Sequence, residues 1–344
     1  MKRKLFCLLL VLVLMLTFVV SCGQKDDKTK GKKVAMITDI GGINDESFNQ
    51  SAWNGMLRLE KEGVEISFLE SAKEADYKTN LDRKTEEKPD LIWGIGFMMA
   101  DAVADASKAH KDQLYAIIDV GYPDGELPNA VGAMFHSEES SFLVGYIAGH
   151  MTKTDHVGFI LGMEGDVMFR FQYGYLAGVA YAAKELGKEI KVDCVTINTF
   201  GDTAVGKATA TKMYSDGADI VYHAAGQAGS GAITAAKELG KWVIGVDLDQ
   251  SPLAPDNVLT SALKNVDQAV YGLSKKVFDG EQVGGKTFFF GLKDGGVGIP
   301  ETSSKHVPKE ILDKTKEVEK KIIDGTITCP ITEEEFKAWK EKLG

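Results

Sequence analysis

Between Lys33 and Asp249 short apolar runs alternate with amphipathic, helix-length stretches, and the series runs through twice. "KVAMITD" reads as a strand, followed by a helix from about Phe48 to Lys61. "VEISFLES", "LIWGIG", "LYAIIDVG" and "AVGAMF" follow as strands, with helices through Leu81 and over "MMADAVADASKAH" between them. The pattern restarts at the helical "SSFLVGYIAGHM", whose small residues permit close packing. It continues through "HVGFILG", "IKVDCVTIN", "DIVYHAAG" and "KWVIGVDLD", with helices over about 169–186, 203–215 and 231–239. Such alternation dictates parallel sheets covered by helices on both faces. With 344 residues and roughly 100–200 residues per domain, two α/β domains are expected.

The remainder departs from this rhythm. "VLTSALKN" is a strand leading into the helical "VDQAVYGLSKKVFDG". "KTFFFGLKDGGVGI" reads as two strands with turn chemistry at "KDGG", and two Lys- and Glu-rich helices end the chain. No stretch between the units has linker composition, so strand-like crossings and a hinge are expected.

The N-terminus is a leader. "MKRK" is basic, "LFCLLLVLVLMLTFVV" is apolar, and Ser21 precedes Cys22. The last residues resemble a bacterial lipobox, which implies cleavage after residue 21 and acylation of Cys22. The apolar run is short for a membrane span of about 20 residues. "GQKDDKTKGKK" has no large apolar residue, so residues 22–33 are expected to form a flexible tether. The result would be a lipid-anchored domain facing the extracytoplasmic side. Cys194 and Cys329 are the cysteines left for the folded part, and their spacing gives no metal motif; two buried free thiols are expected. The formal net charge of −10 argues against nucleic acid as a partner.

In doubly wound sheets, ligands sit beyond the carboxyl ends of the strands. Asp39, Asp119, Asp247 and Asp249 follow predicted strands, as do "NTFGD" with Phe200 and "HAAGQAGSG" with Gly226. "GQAGSG" lacks the GK[ST] ending of a phosphate loop, and the aspartates at the same mouth would repel a phosphate. "DIGGINDE" does not fit an EF-hand, and Asp45 or Ser47 serves as a helix cap in the plain structural reading. His223 is the one histidine at a predicted strand end. It has no nucleophile-elbow partner and reads as a satisfied structural residue. No cofactor, metal or catalytic residue is therefore expected. Carboxylates suit the hydroxyls of a diol and ring N–H groups. Phe48 and Phe200 lie in polar, Gly-containing loops, where they could stack on a flat face.

The stretches "VAMITDIGGINDESFNQSAWNG", "AIIDV", "VGYIAG", "VGFILGM", "FQYGYLAGV", "HAAGQAG", "VIGVDLDQ" and "TSALKNVDQAV" recur in order across the mature chain. By them the chain resembles the basic membrane protein family of substrate-binding lipoproteins, also called the purine nucleoside receptor A family. The resemblance implies a periplasmic-binding-protein fold of the first type, with two doubly wound parallel-sheet domains joined by three crossings at a hinge. The domains would comprise residues 34–136 with about 266–290, and 137–265 with about 291–344. It implies a monomeric, non-catalytic receptor that hands inosine, guanosine or adenosine to the permease and ATPase subunits of an ABC importer. Phe48 and Phe200 would sandwich the purine. Asp119 would accept from the base, with Asp39 on the same side and Asn49 in the same set. Gly226 would present backbone, Asp247 would take the ribose hydroxyls, and Lys264 would bond at the sugar or base edge. A sugar or autoinducer receptor of the same fold is the alternative. An extracellular nucleoside hydrolase, whose acidic calcium loop "DIGGINDE" faintly resembles, is a more distant one.

Overall fold

The computed structural model describes residues 28–123 and 125–343. The leader 1–21, Cys22 and the tether up to residue 27 lie outside the described residues. The first series comprises β1 (Lys33–Thr38), α1 (Phe48–Glu60), β2 (Glu65–Leu69), α2 (Ala75–Glu86), β3 (Leu91–Ile95), α3 (Ala100–Ala109), β4 (Tyr115–Ile118) and β5 (Ala130–Phe135). The second comprises α4 (Ser137–Met151), β6 (His156–Leu161), α5 (Asp166–Leu186), β7 (Lys191–Thr196), α6 (Thr203–Ser215), β8 (Ile220–Ala224), α7 (Ala228–Leu239), β9 (Trp242–Asp247) and β10 (Val258–Lys264). Then come α8 (Val266–Phe278), β11 (Thr287–Phe290), β12 (Val297–Gly298), α9 (Lys309–Ile323) and α10 (Glu333–Leu343).

Two sheets result, in the orders β11-β5-β4-β3-β1-β2 and β12-β10-β9-β8-β6-β7. Every pairing is parallel except β10 with β12. The central strands β3, β4, β6 and β8 are buried at every residue, as continuous apolar runs covered on both faces must be. The chain passes between sheets after β5, after β10 and after β11. The "KDGG" turn therefore does not close a hairpin. β11 pairs with β5 of the first sheet, while β12 pairs with β10 of the second.

After β10, α8 returns to cover the first sheet. Trp93 Nε1 donates to Ser274 Oγ at 3.0 Å, and Arg58 pairs with Asp267 at 2.8 Å. Helices α4 and α5 approach closely because Gly178 leaves room. A Cβ there would lie 2.0 Å from the Phe142 carbonyl oxygen.

Two features differ from expectation. The last residues of the expected tether are docked: β1 begins at Lys33, Thr29 is buried, and Lys28 pairs with Asp279 at 2.9 Å. Charged tether side chains found oppositely charged partners that their composition does not reveal. Cys194 and Cys329 are both free thiols, but Cys194 is exposed, because β7 is an edge strand.

Candidate functional site

Both sheets direct their strand ends toward one another, and a pocket lies between them. Asp39, Phe48, Asn49, Asp119, Phe200, Gly226, Asp247 and Lys264 all line it. Asp119, just past β4, and Asp247, the last residue of β9, both have left-handed backbone, with φ of 67° and 63°. Asp and Asn tolerate that conformation better than other side-chain-bearing residues, and strained positions of this kind cluster at ligand clamps.

The loop between β1 and α1 carries the first group. Asp45 is the helix cap: it accepts from the backbone N–H groups of Ser47, Asn49 and Gln50 at 2.9, 2.8 and 3.0 Å. Ser47 occupies the N-cap position but makes no cap bond with its side chain. The Asn49 amide donates to Asp39 Oδ1 at 2.8 Å and to Asp45 Oδ2 at 3.1 Å. Asp39 Oδ2 lies against Gly96, where a Cβ would approach to 2.4 Å. Burial drives the Asp39 carboxyl up to about 8, with the Asn49 hydrogen bond opposing and the charges of Asp45 and Asp119 reinforcing. Burial also raises Asp45, against its three backbone hydrogen bonds.

The second group comes from the other sheet. Phe200 follows β7, and its ring rests on Gly162, where a Cβ would come within 2.4 Å of it. The Phe200 carbonyl accepts from the Ala228 N–H at 2.8 Å, next to Gly226, which has φ of +52°. Asp247 is raised by burial to about 6, opposed by Lys264 and by the Ser47 hydroxyl. Lys264, 2% exposed, pairs with Asp119 across the cleft at 2.5 Å. Its ammonium lies 4.7 Å from the Phe48 ring centre, 5.2 Å from Phe135 and 5.6 Å from Phe171. A buried ammonium needs such a carboxylate and such π faces.

Sequence reasoning missed Phe97, Met168 and Phe171, which also line the cavity. Phe97 meets Phe200 edge-on, with ring centres 6.4 Å apart. Phe97 opens a short helical turn after β3, and Met168 and Phe171 lie in the first two turns of α5, where an apolar residue carries the ordinary core signal; only nearness to a strand's carboxyl end could have flagged them. Asp249 does not line the cavity; it accepts from Thr302 Oγ1 at 2.8 Å. His223 is fully buried on β8 beneath Gly229, and burial lowers it to about 4, leaving a neutral ring. Neither ring nitrogen has a partner of good hydrogen-bond geometry, although the Gln250 side chain lies close enough to oppose the effect of burial. No three His, Cys, Asp or Glu side chains among the described residues form a metal cluster.

Two six-stranded α/β sheets with facing strand ends and a half-open polar–aromatic pocket between them define a two-lobed ligand-binding protein. A solute-binding protein of an ABC transporter system from Aeropyrum pernix K1 has this fold, with a TM-score of 0.81 and 27% identity over 91% of this chain and 99% of that one. An arabinose-binding protein from Geobacillus stearothermophilus, at TM-score 0.56 and 12% identity, shares the fold over 79% of this chain and 97% of its own. The model of the "ABC transporter substrate-binding protein PnrA-like" family matches residues 32–333. Basic membrane protein D of Borreliella burgdorferi (strain JD1) is 39% identical, with 96% of each chain covered. A CD4+ T-cell-stimulating antigen of Listeria innocua is 38% identical over 96% of this chain and 99% of its own. The chain belongs to this family of ABC-transporter substrate-binding proteins. Such proteins act outside the cytoplasm on a small-molecule ligand and a permease. Among the described residues no helix is long and apolar enough to cross a membrane.

Proposed function

We propose that this chain is a lipid-anchored, non-catalytic receptor for purine nucleosides, held to the membrane through Cys22 and supplying an ABC permease. The observation that carries the reading is the cavity's composition. Aromatic rings from both lobes, Phe48 and Phe200, accompany Asp39, Asp119 and Asp247, with Lys264 as a neighbouring cation. A neutral ligand with one flat heteroaromatic face and a vicinal diol satisfies all of these groups, and a phosphorylated one does not.

In this reading Phe48 and Phe200 stack on the base, each worth on the order of 1–3 kcal/mol. Asp39 and Asn49 meet the base edge with Asp119 nearby, Gly226 offers backbone, and Asp247 takes the ribose hydroxyls. Lys264 balances Asp119 and donates at the sugar or base edge. The domains comprise residues 34–136 with about 266–290, and 137–265 with about 291–344, acting as a monomer about a hinge.

Calorimetry with inosine, guanosine and adenosine against pentoses and hexoses tests the assignment. Binding of at least one purine nucleoside with no measurable sugar binding is expected. Sugar binding alone would reassign the site, and release of hypoxanthine from inosine would make the protein an enzyme.

A further inference from the structure

Two hydrogen bonds join the lobes without passing through the cavity. Ser47 Oγ donates to Asp247 Oδ2 at 2.5 Å, across 200 residues of chain. Gln250 Nε2 donates to the Glu46 carbonyl at 2.9 Å, across 204 residues. Ser47, Glu46 and Gln250 do not line the cavity, while their chain neighbours Asp45, Phe48 and Asp247 do. We infer that Ser47 and Gln250 form a latch, a pair of positioning residues that hold the lobes closed by direct contact and slow the escape of whatever the cavity contains.

Each side of the latch is also held by bonds within its own lobe. Asp45 holds the backbone N–H of Ser47, and the Gln50 side chain accepts from the Glu46 N–H at 3.1 Å. Glu46 has φ of 56°, which turns its carbonyl toward the other lobe. On that lobe Gln250 Oε1 accepts from the Val246 N–H at 3.0 Å, and the Gln250 N–H donates to Ser261 Oγ at 3.2 Å. The Gln250 amide is thereby oriented with its NH₂ across the cleft. Ser47 is free to reach Asp247 because Asp45, not Ser47, caps the helix. Asp247 Oδ1 accepts from no described residue, so one carboxylate can serve the latch with one oxygen and a ligand with the other. Ligand held at Asp247 would fix the same turn that presents Gln250. Preorganised donors and acceptors of this kind lower the ordering cost of closure.

The inference rests on the nucleoside reading only for its probe. Gln250→Glu keeps the side chain's shape and the acceptor for Val246 but sets a carboxylate against the Glu46 carbonyl. Ser47→Ala removes the other bond independently and stands as the test if Gln250→Glu unfolds. Stopped-flow release of inosine should be about three- to tenfold faster in each, the scale of one net hydrogen bond, with association little changed. Small-angle scattering of the ligand-free variants should give a larger radius of gyration than the ligand-free wild type. Unchanged release or an unchanged radius of gyration overturns the latch. If the wild type binds guanosine or adenosine but not inosine, that nucleoside replaces inosine as the probe; if it binds none of the three, the nucleoside reading fails by itself, and the scattering comparison alone decides the latch.

Discussion

The two sheets have one strand order, so their strand ends can be compared position by position. After the fourth-ranked strands, β4 and β9, both lobes hold an aspartate in left-handed backbone, Asp119 and Asp247. After β1 and β6 they diverge, with Asp39 in one lobe and Gly162 in the other. Each lobe also keeps one bare Cα so that a cavity-lining side chain can lie against it. Gly96 makes room for the Asp39 carboxylate, and Gly162 makes room for the Phe200 ring. The first lobe thus presents a prebonded polar edge, Asp39–Asn49–Asp45. The second presents Phe171 and Phe200, facing Phe48 and Phe97 of the first, and a carboxylate whose one protein hydrogen bond crosses to the first lobe. One duplicated scaffold carries two chemistries, and the split teaches that neither lobe holds a complete site.

The comparison breaks most sharply at Asp247. Asp247→Ala should weaken inosine binding by about 2–5 kcal/mol, the usual consequence of truncating a buried, hydrogen-bonded charge. The Tm should hold or rise, because burial disfavours that carboxylate. Calorimetry and thermal unfolding check both; equal affinity removes Asp247 from the site. The two clearing glycines should then part company. Gly96→Ala puts a Cβ 2.4 Å from Asp39 Oδ2 and forces alanine to φ of +109°, a strain of about 1–3 kcal/mol. Gly162 has no such φ, so Gly162→Ala displaces mainly the Phe200 ring. Loss of affinity is expected in both, with the larger drop in Tm for Gly96→Ala. A smaller gap is expected between the rings. Phe48→Ala should cost more affinity than Phe200→Ala, since Phe48 also faces the Lys264 ammonium at 4.7 Å. Equal losses by calorimetry would mean that this contact contributes nothing.

The strand ends were legible because the alternation of apolar runs fixes a parallel sheet, and a parallel sheet fixes where ligands go. That reasoning reached Asp39, Asp119, Phe200, Gly226 and Asp247 without knowing any distance. Phe48, Asn49 and Lys264 became specific only through the family resemblance, since each also has an ordinary structural reading. Phe171 and Phe97 stayed hidden because an apolar residue near a helix start carries the same signal whether it faces core or cavity. The role of Ser47 was illegible for another reason. Its cap position predicts a local bond, and only the approach of the other lobe offers it Asp247 instead. The β11–β12 segment shows the same limit: turn chemistry announces a reversal but not which sheet each strand joins.

The prebonded edge of the first lobe carries a pH signature that the second lobe lacks at neutral pH. Asp39 goes from an ordinary 3.8 to about 8 on folding, chiefly through burial. The folded protein keeps a proton there that the unfolded chain has released. That contribution to stability is full below about pH 4 and is lost as pH rises through 8. Asp247 has the same sign but finishes near 6. Between pH 6 and 8 the difference between wild type and Asp39→Asn therefore isolates Asp39, because the histidine contributions are common to both and cancel. Urea unfolding at pH 6, 7 and 8 should show the wild type losing up to ~1.4 kcal/mol per pH unit more than the variant. Parallel pH profiles would mean that Asp39 is ionised in the closed cleft. Each lobe would then face the cleft with an ionised carboxylate, rather than the first with a neutral acid.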